Sequence, residues 1–173
     1  RDRHEHLGAR LNTGATAGWT PSVSIAVRAG VYARVAQQIE LGANGFWTPG
    51  GTASRAPGTL SASLVAGSLS GSFVTKAGPF EVLGSALLAA GALHAEGSGF
   101  PVLDNTVTRP WFSAGVGSSM RRRVATRLAI EGGFDLLIPL QRHRFILDPT
   151  SETVFRTAPL GGLLWLGLSS SIL

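Results

Sequence analysis

The chain contains no cysteine, so neither a disulfide framework nor a thiolate metal site is open to it. Charge is also scarce. Asp, Glu, Lys and Arg make up 14% of the 173 residues, against about 25% in an ordinary soluble domain. Too few charged groups are present to cover a soluble surface. Yet no apolar run reaches the roughly 18 residues that a spanning helix needs. The segment 82–93 comes nearest, and Gly84, Ser85 and Gly91 interrupt it. Of the basic residues only Lys76 is a lysine, and the arginines are spread along the chain instead of gathered with aromatics in one stripe. That argues against a nucleic-acid surface. The first residue is Arg1, not Met, with no signal-peptide pattern after it. A mature form or a fragment is expected, with any export signal lying outside it and a short periplasmic-side tail at 1–6 continuing from an upstream segment.

What is present is a mean hydropathy of +0.22, distributed in alternation. The clearest stretch is 123–139. Val124, Thr126, Leu128, Ile130, Gly132, Phe134, Leu136 and Ile138 form one set, and Arg123, Ala125, Arg127, Ala129, Glu131, Gly133, Asp135 and Leu137 the other. On a β-strand these sets face opposite sides of a sheet. The same period of two recurs at 7–19, 23–32, 34–47, 59–74, 80–94, 111–121 and 159–171, giving eight strands. In the first of these, Trp19 falls with the apolar set. The fourth and fifth are blurred, and a bulge near Ala66 and Gly67 is expected where parity slips. Short turns at 32–34, 75–79 and 120–123 alternate with long connections at 48–58, 95–110 and 139–158; the brief one at 20–22 falls on the long side. Both chain ends then lie on the short-turn side.

A soluble sheet buries its apolar face, whereas a membrane barrel turns it outward to lipid. The polar sets decide for the second. They carry Arg10, Arg28, Arg34, Arg123 and Arg127 against Glu40, Glu81, Glu131 and Asp135. Near-balance of sign is what a sealed interior requires, because an unpaired buried charge is costly. Small residues on the sixth and eighth strands are expected to make room for long arginines. Eight strands leave an interior just wide enough for side chains. The expectation is therefore an all-β, eight-stranded, antiparallel, up-and-down transmembrane barrel, one domain over 1–173, with a plugged lumen. Trp19, Trp47, Trp111 and Phe112 near the long connections, with Phe73 and Phe80 near a short turn, are expected as two aromatic girdles.

The eight alternating strands, the alternating connection lengths and the closing Leu160-Gly161-Gly162-Leu163-Leu164-Trp165-Leu166-Gly167-Leu168 resemble the small OmpA/OmpX-like outer-membrane barrels of Gram-negative bacteria. Closer still is a similarity to uncharacterised barrel domains that end longer envelope proteins. It rests on Gly97-Ser98-Gly99-Phe100, Arg109-Pro110-Trp111, Phe145-Ile146-Leu147 and Phe155-Arg156. The resemblance implies an outer-membrane location, contact with membrane lipid and lipopolysaccharide, and an extracellular or envelope protein partner. The chain departs from it by ending Ser171-Ile172-Leu173 instead of on an aromatic residue.

No coherent catalytic group, cofactor motif or metal site emerges. His4-Glu5-His6 has chelating spacing without a third ligand. His94 and Glu96 with nearby serines resemble the Ser/His/acid group of barrel lipid deacylases, so a lipid-modifying enzyme is one alternative; a soluble lipocalin-like ligand-binding barrel is the other. The loop 139–158, with Arg142, His143, Arg144, Asp148, Glu152 and Arg156, is the best candidate binding epitope. The expected role is a membrane anchor or surface-display scaffold, neither enzyme nor pore.

Overall fold

The computed structural model describes residues 6–55, 58–98, 106–141, 144–147 and 152–172. Its strands are β1 (His6–Ala17), β2 (Ser24–Ala36), β3 (Ile39–Arg55), β4 (Gly58–Ala77), β5 (Phe80–Ser98), β6 (Thr106–Arg123), β7 (Leu128–Pro139), β8 (Arg144–Leu147), β9 (Glu152–Arg156) and β10 (Gly161–Ser171). Eight of them close a barrel, each antiparallel to its sequence neighbour, with β1 paired to β10. β8 and β9 form a separate hairpin inside the β7–β10 connection. Closure pairs every strand edge, which is the condition for a sheet to stand in lipid. The segment 82–93 is strand, not helix.

The tight turns fall at 37–38, 78–79 and 124–127. Gly78 has φ 60°, the positive value that the first central residue of a two-residue hairpin takes most easily when it is glycine. The first and third turns lie four to five residues later than the alternation implied, so Arg34 and Val35 belong to β2, and Val124, Thr126 and Arg127 belong to a turn, not to β7. Backbone bonds from Val124 N and Ala125 N to Leu128 O, 2.9 and 3.0 Å, hold the third turn.

The apolar set faces outward. Leu128, Ile130, Phe134, Leu136 and Ile138 of β7 are exposed, while Ala129, Glu131, Asp135 and Leu137 are buried. This excludes the soluble-barrel alternative, which needs the reverse. The outward apolar band runs from Ile39 to Trp47 on β3, from Val65 to Phe73 on β4 and from Phe112 to Met120 on β6. Each band is about nine residues long, the length a tilted strand needs to cross a hydrocarbon layer. Strands β3 to β6 have 17, 20, 19 and 18 residues, so this wall continues past the band on the long-connection side. There the outward positions turn polar: Ser61, Ser63, His94, Glu96, Thr106 and Thr108.

No bulge occurs at Ala66 and Gly67; β4 keeps unbroken register with both neighbours through that region. The register shift lies on the partner strand, between Thr48 and Gly51. Parity looked broken because the inward face changes chemistry, from Leu60, Ala62, Leu64 and Ala66 to Ser68, Ser70 and Ser72.

Candidate functional site: a lumen closed in two layers

Towards the short turns, the inward face of each strand carries long charged side chains. Glu40, 1% exposed, sits at the centre. It accepts from Arg121 Nη1 and Nη2 at 2.9 and 3.1 Å and from Arg10 Nη2 at 2.7 Å. Arg121 Nε also donates to Glu131 Oε2 at 3.1 Å. Arg34 grips Glu81 through two bonds of 3.0 and 3.1 Å and lies 3.6 Å from Glu40. Arg28 Nη1 donates to Asp135 Oδ2 at 2.7 Å. Asn12, with its amide oxygen turned to Arg28, accepts from Nη2 and Nε at 3.0 and 3.3 Å and donates to Glu131 Oε1 at 3.3 Å. Four guanidinium groups thus face four carboxylates. Planar forks meeting carboxylates side on are the strongest form of this contact. Aromatic faces cover the cations: Tyr32 lies 4.7 and 4.6 Å from the Arg10 and Arg121 guanidinium carbons, and Trp165 lies 4.1 Å from that of Arg28.

Small residues make this crowding possible. A Cβ at Gly167 would strike Asn12, one at Gly117 would strike Asp135, and one at Gly8 would enter the Tyr32 ring. Ser72 and Ser85 bond each other at 2.7 Å between the longer groups.

Towards the long connections the lumen is apolar. Trp19, Phe46 and Trp111 form an aromatic cluster with ring centroids 5.7 to 6.1 Å apart, two of the three contacts edge-on. Leu64, Leu93, Leu60 and Ala62 pack around it, all buried. Between the layers lies a cavity of about 20 Å³, bordered by Arg28, Ser70, Ser72, Leu83, Asp135 and Trp165, room for a single water.

Two sets of expected positions need correction. Arg123 and Arg127 are not in the lumen; both are exposed at the short-turn rim. Arg121 holds the central place instead. Its parity continues Ser113, Gly115, Gly117 and Ser119, but a turn expected at 120–123 takes it out of the wall, whereas β6 runs on to Arg123. Arg10, Arg28, Arg34, Glu40, Glu81, Glu131 and Asp135 do face inward. The other set is the girdle. Trp19 and Trp111 are wholly buried, inside the lumen. Gly18, at φ 96°, ends β1 and swings Trp19 inward against the alternation; Gly161 leaves space for its indole, where a Cβ would collide. Trp47 and Phe112 stay outside at the upper edge of the apolar band and Phe73 at its lower edge. Phe80 lies near the lower rim, 5.6 Å beneath the Arg122 guanidinium.

The loop positions divide. Arg142, His143 and Asp148 lie outside the described residues. Arg144 and Arg156 are paired positions of the β8–β9 hairpin, and Glu152 pairs with Leu147. His94 is exposed beyond the apolar band, and its Nδ1 is 2.8 Å from Thr108 Oγ1. Glu96 is two residues away on the same strand, and Ser63 is opposite His94 in register. No serine hydrogen-bonds His94 among the described residues. His4 and Glu5 lie outside the described residues, and no metal-ligating cluster occurs within them.

No family model and no curated protein matches the sequence. Solved structures do match. Neisserial surface protein A aligns over 97% of both chains with TM-score 0.63 and 10% identity. A major outer membrane protein from Thermus thermophilus aligns over 96% of this chain and 99% of its own, with TM-score 0.68 and 13% identity. The N-terminal β-barrel domain of Pseudomonas aeruginosa OprF aligns over 98% and 100%, with TM-score 0.58 and 9% identity. The fold is that of the small outer-membrane β-barrels. At such identities the likeness fixes architecture and leaves the residues inside the barrel to be read on their own terms. This chain is a transmembrane barrel of that type, with charge and aromatic rings filling its centre.

Proposed function

We propose that the chain is an outer-membrane anchor and display scaffold. Its barrel holds a fixed position in lipid, and its long connections bind a partner outside. The observation that carries this reading is the double closure of the lumen: a paired charge layer below and an aromatic cluster above. A solute would have to break both. The wall of β3 to β6 that overshoots the apolar band, with the β8–β9 hairpin beside it, supports the second half. It offers a raised, polar, strand-built surface, the kind of rigid base from which loops recognise partners. The proposed partners are the surrounding lipid and lipopolysaccharide, together with an extracellular or envelope protein at the loops that include 139–158.

A planar-bilayer recording tests the closed lumen: the barrel is expected to give no steady conductance, and a steady single-channel current overturns the reading. A peptide tag placed within 148–151 tests display. Intact cells should bind the anti-tag antibody; labelling only after the outer membrane is permeabilised contradicts it.

A further inference from the structure

The short-turn end of the barrel holds a pocket of about 460 Å³, within the size range of small-ligand sites. Its floor is the top of the charge layer: Tyr32, Arg34, Glu81 and Arg121. Its mouth is ringed by Lys76, Arg123 and Arg127. The floor is already neutral, because Arg34 and Arg121 are bound to Glu81, Glu40 and Glu131. Among the described residues none of the three mouth cations makes an ion pair. With the floor balanced, the pocket carries a net positive charge from Lys76, Arg123 and Arg127, of which Lys76 stands opposite Glu81 in register and Arg123 is within electrostatic reach of it.

The backbone that carries Arg123 and Arg127 is also fixed in place. Arg123 precedes the 124–127 turn and Arg127 ends it; the turn is tied internally and to β10 through Ser171 N to Arg127 O at 3.0 Å. Lys76 is next to the Gly78–Pro79 hairpin. A second, independent feature points to a ligand. Ser169 lines the pocket and is 2% exposed, yet its Oγ has no hydrogen-bond partner among the described residues. Ser169 stands opposite Arg10 and Ala129 in register, and a buried hydroxyl without a partner in the floor of a cationic pocket is a ready donor to an anion. Thr126 and Ser171 add two more hydroxyls to the lining.

We propose that this pocket is a phosphate-group site. Two guanidinium forks, one ammonium and three hydroxyl donors match a tetrahedral oxyanion better than a single carboxylate, since arginine pairs with phosphate oxygens two at a time. Phe80 and Leu128, which belong to the lipid-facing set, also border the pocket, so a phosphate carrying an acyl tail can enter from the membrane side. A free phosphate ester can enter from the water. The shared chemistry is the phosphate group, and the test separates its two sources. The inference goes beyond display by the loops and stands or falls independently of it.

The experiment compares the wild-type chain, an R123Q/R127Q double variant and an R109Q control at the opposite rim, all refolded in zwitterionic detergent. Heat-dependent gel migration checks that each is folded. Pyrophosphate is titrated while the amide resonances of Thr126, Arg127 and Ser169 are followed. Phosphatidylglycerol retention against phosphatidylcholine is read by native mass spectrometry. Wild type and R109Q should bind at least one probe, and R123Q/R127Q should bind it at least tenfold more weakly, with the difference shrinking in high salt. Pyrophosphate alone marks a soluble phosphate ligand, phosphatidylglycerol alone a lipid headgroup, and both a site open to either. Absence of binding by folded wild type, or equal binding by folded R123Q/R127Q, overturns the proposal.

Discussion

The two ends of the lumen are closed by different physics. At the short-turn end four arginines and four carboxylates satisfy one another, and Glu40 alone receives three bonds from Arg10 and Arg121. At the other end Trp19, Phe46 and Trp111 interlock by shape. There the indole N–H groups of Trp19 and Trp111 have no hydrogen-bond partner among the described residues. A charge layer is intolerant of deletion, because removing one ion strands another in a low-dielectric interior. An aromatic layer degrades gradually, in proportion to lost contact. One barrel wall accommodates both because strand alternation fixes which residues point inward without fixing their polarity.

Substitutions that break or sharpen this contrast should fall in order. Glu40→Gln strands parts of Arg10 and Arg121 and should cost about 3–5 kcal/mol of folding stability, read as a shift in the urea midpoint of tryptophan fluorescence in lipid vesicles. Phe134→Arg, on the lipid face at mid-barrel, should cost about 2–4 kcal/mol by the same assay. Trp111→Phe trims the aromatic cluster without emptying it, and a loss of about 1 kcal/mol is expected. Arg127→Gln, outside the network, should stay within about 0.5 kcal/mol. If Arg127→Gln rivals Glu40→Gln, the division between lumen and rim is wrong. If Trp111→Phe exceeds Glu40→Gln, the two ends have been ranked in the wrong order.

The charged layer was largely legible in the sequence, for a physical reason. A charge in a strand with an apolar opposite face has one tolerable direction to point, so Arg28, Glu40, Glu131 and Asp135 announce the interior by themselves. The aromatic layer was not legible. In β4 the residues from Leu60 to Ala66 are apolar on the inward side and mixed on the other, so alternation loses its contrast and resembles a slip in register. Trp19 hid behind a single dihedral, the positive φ of Gly18 that ends β1. Trp111 keeps the inward parity, but its place at a strand end reads equally well as a girdle position. A turn read at 120–123 takes Arg121 out of the wall, whereas the tie from Val124 and Ala125 to Leu128 puts the turn at 124–127 and leaves Arg121 in the lumen. The alternation therefore established strand number and facing, while turn placement and the polarity of the upper lumen needed three-dimensional contacts.

The central claim is that β7 shows lipid its even-numbered residues and the sealed lumen its odd-numbered ones. Since the chain has no cysteine, single cysteines introduced at 128, 129, 130, 131, 134 and 135 can each carry one spin label in bilayers. Collision with dissolved oxygen should be high at 128, 130 and 134 and low at 129, 131 and 135, and a water-soluble nickel chelate should be excluded from 130 and 134. High nickel access at 130 and 134, or an inverted oxygen pattern, would contradict the account.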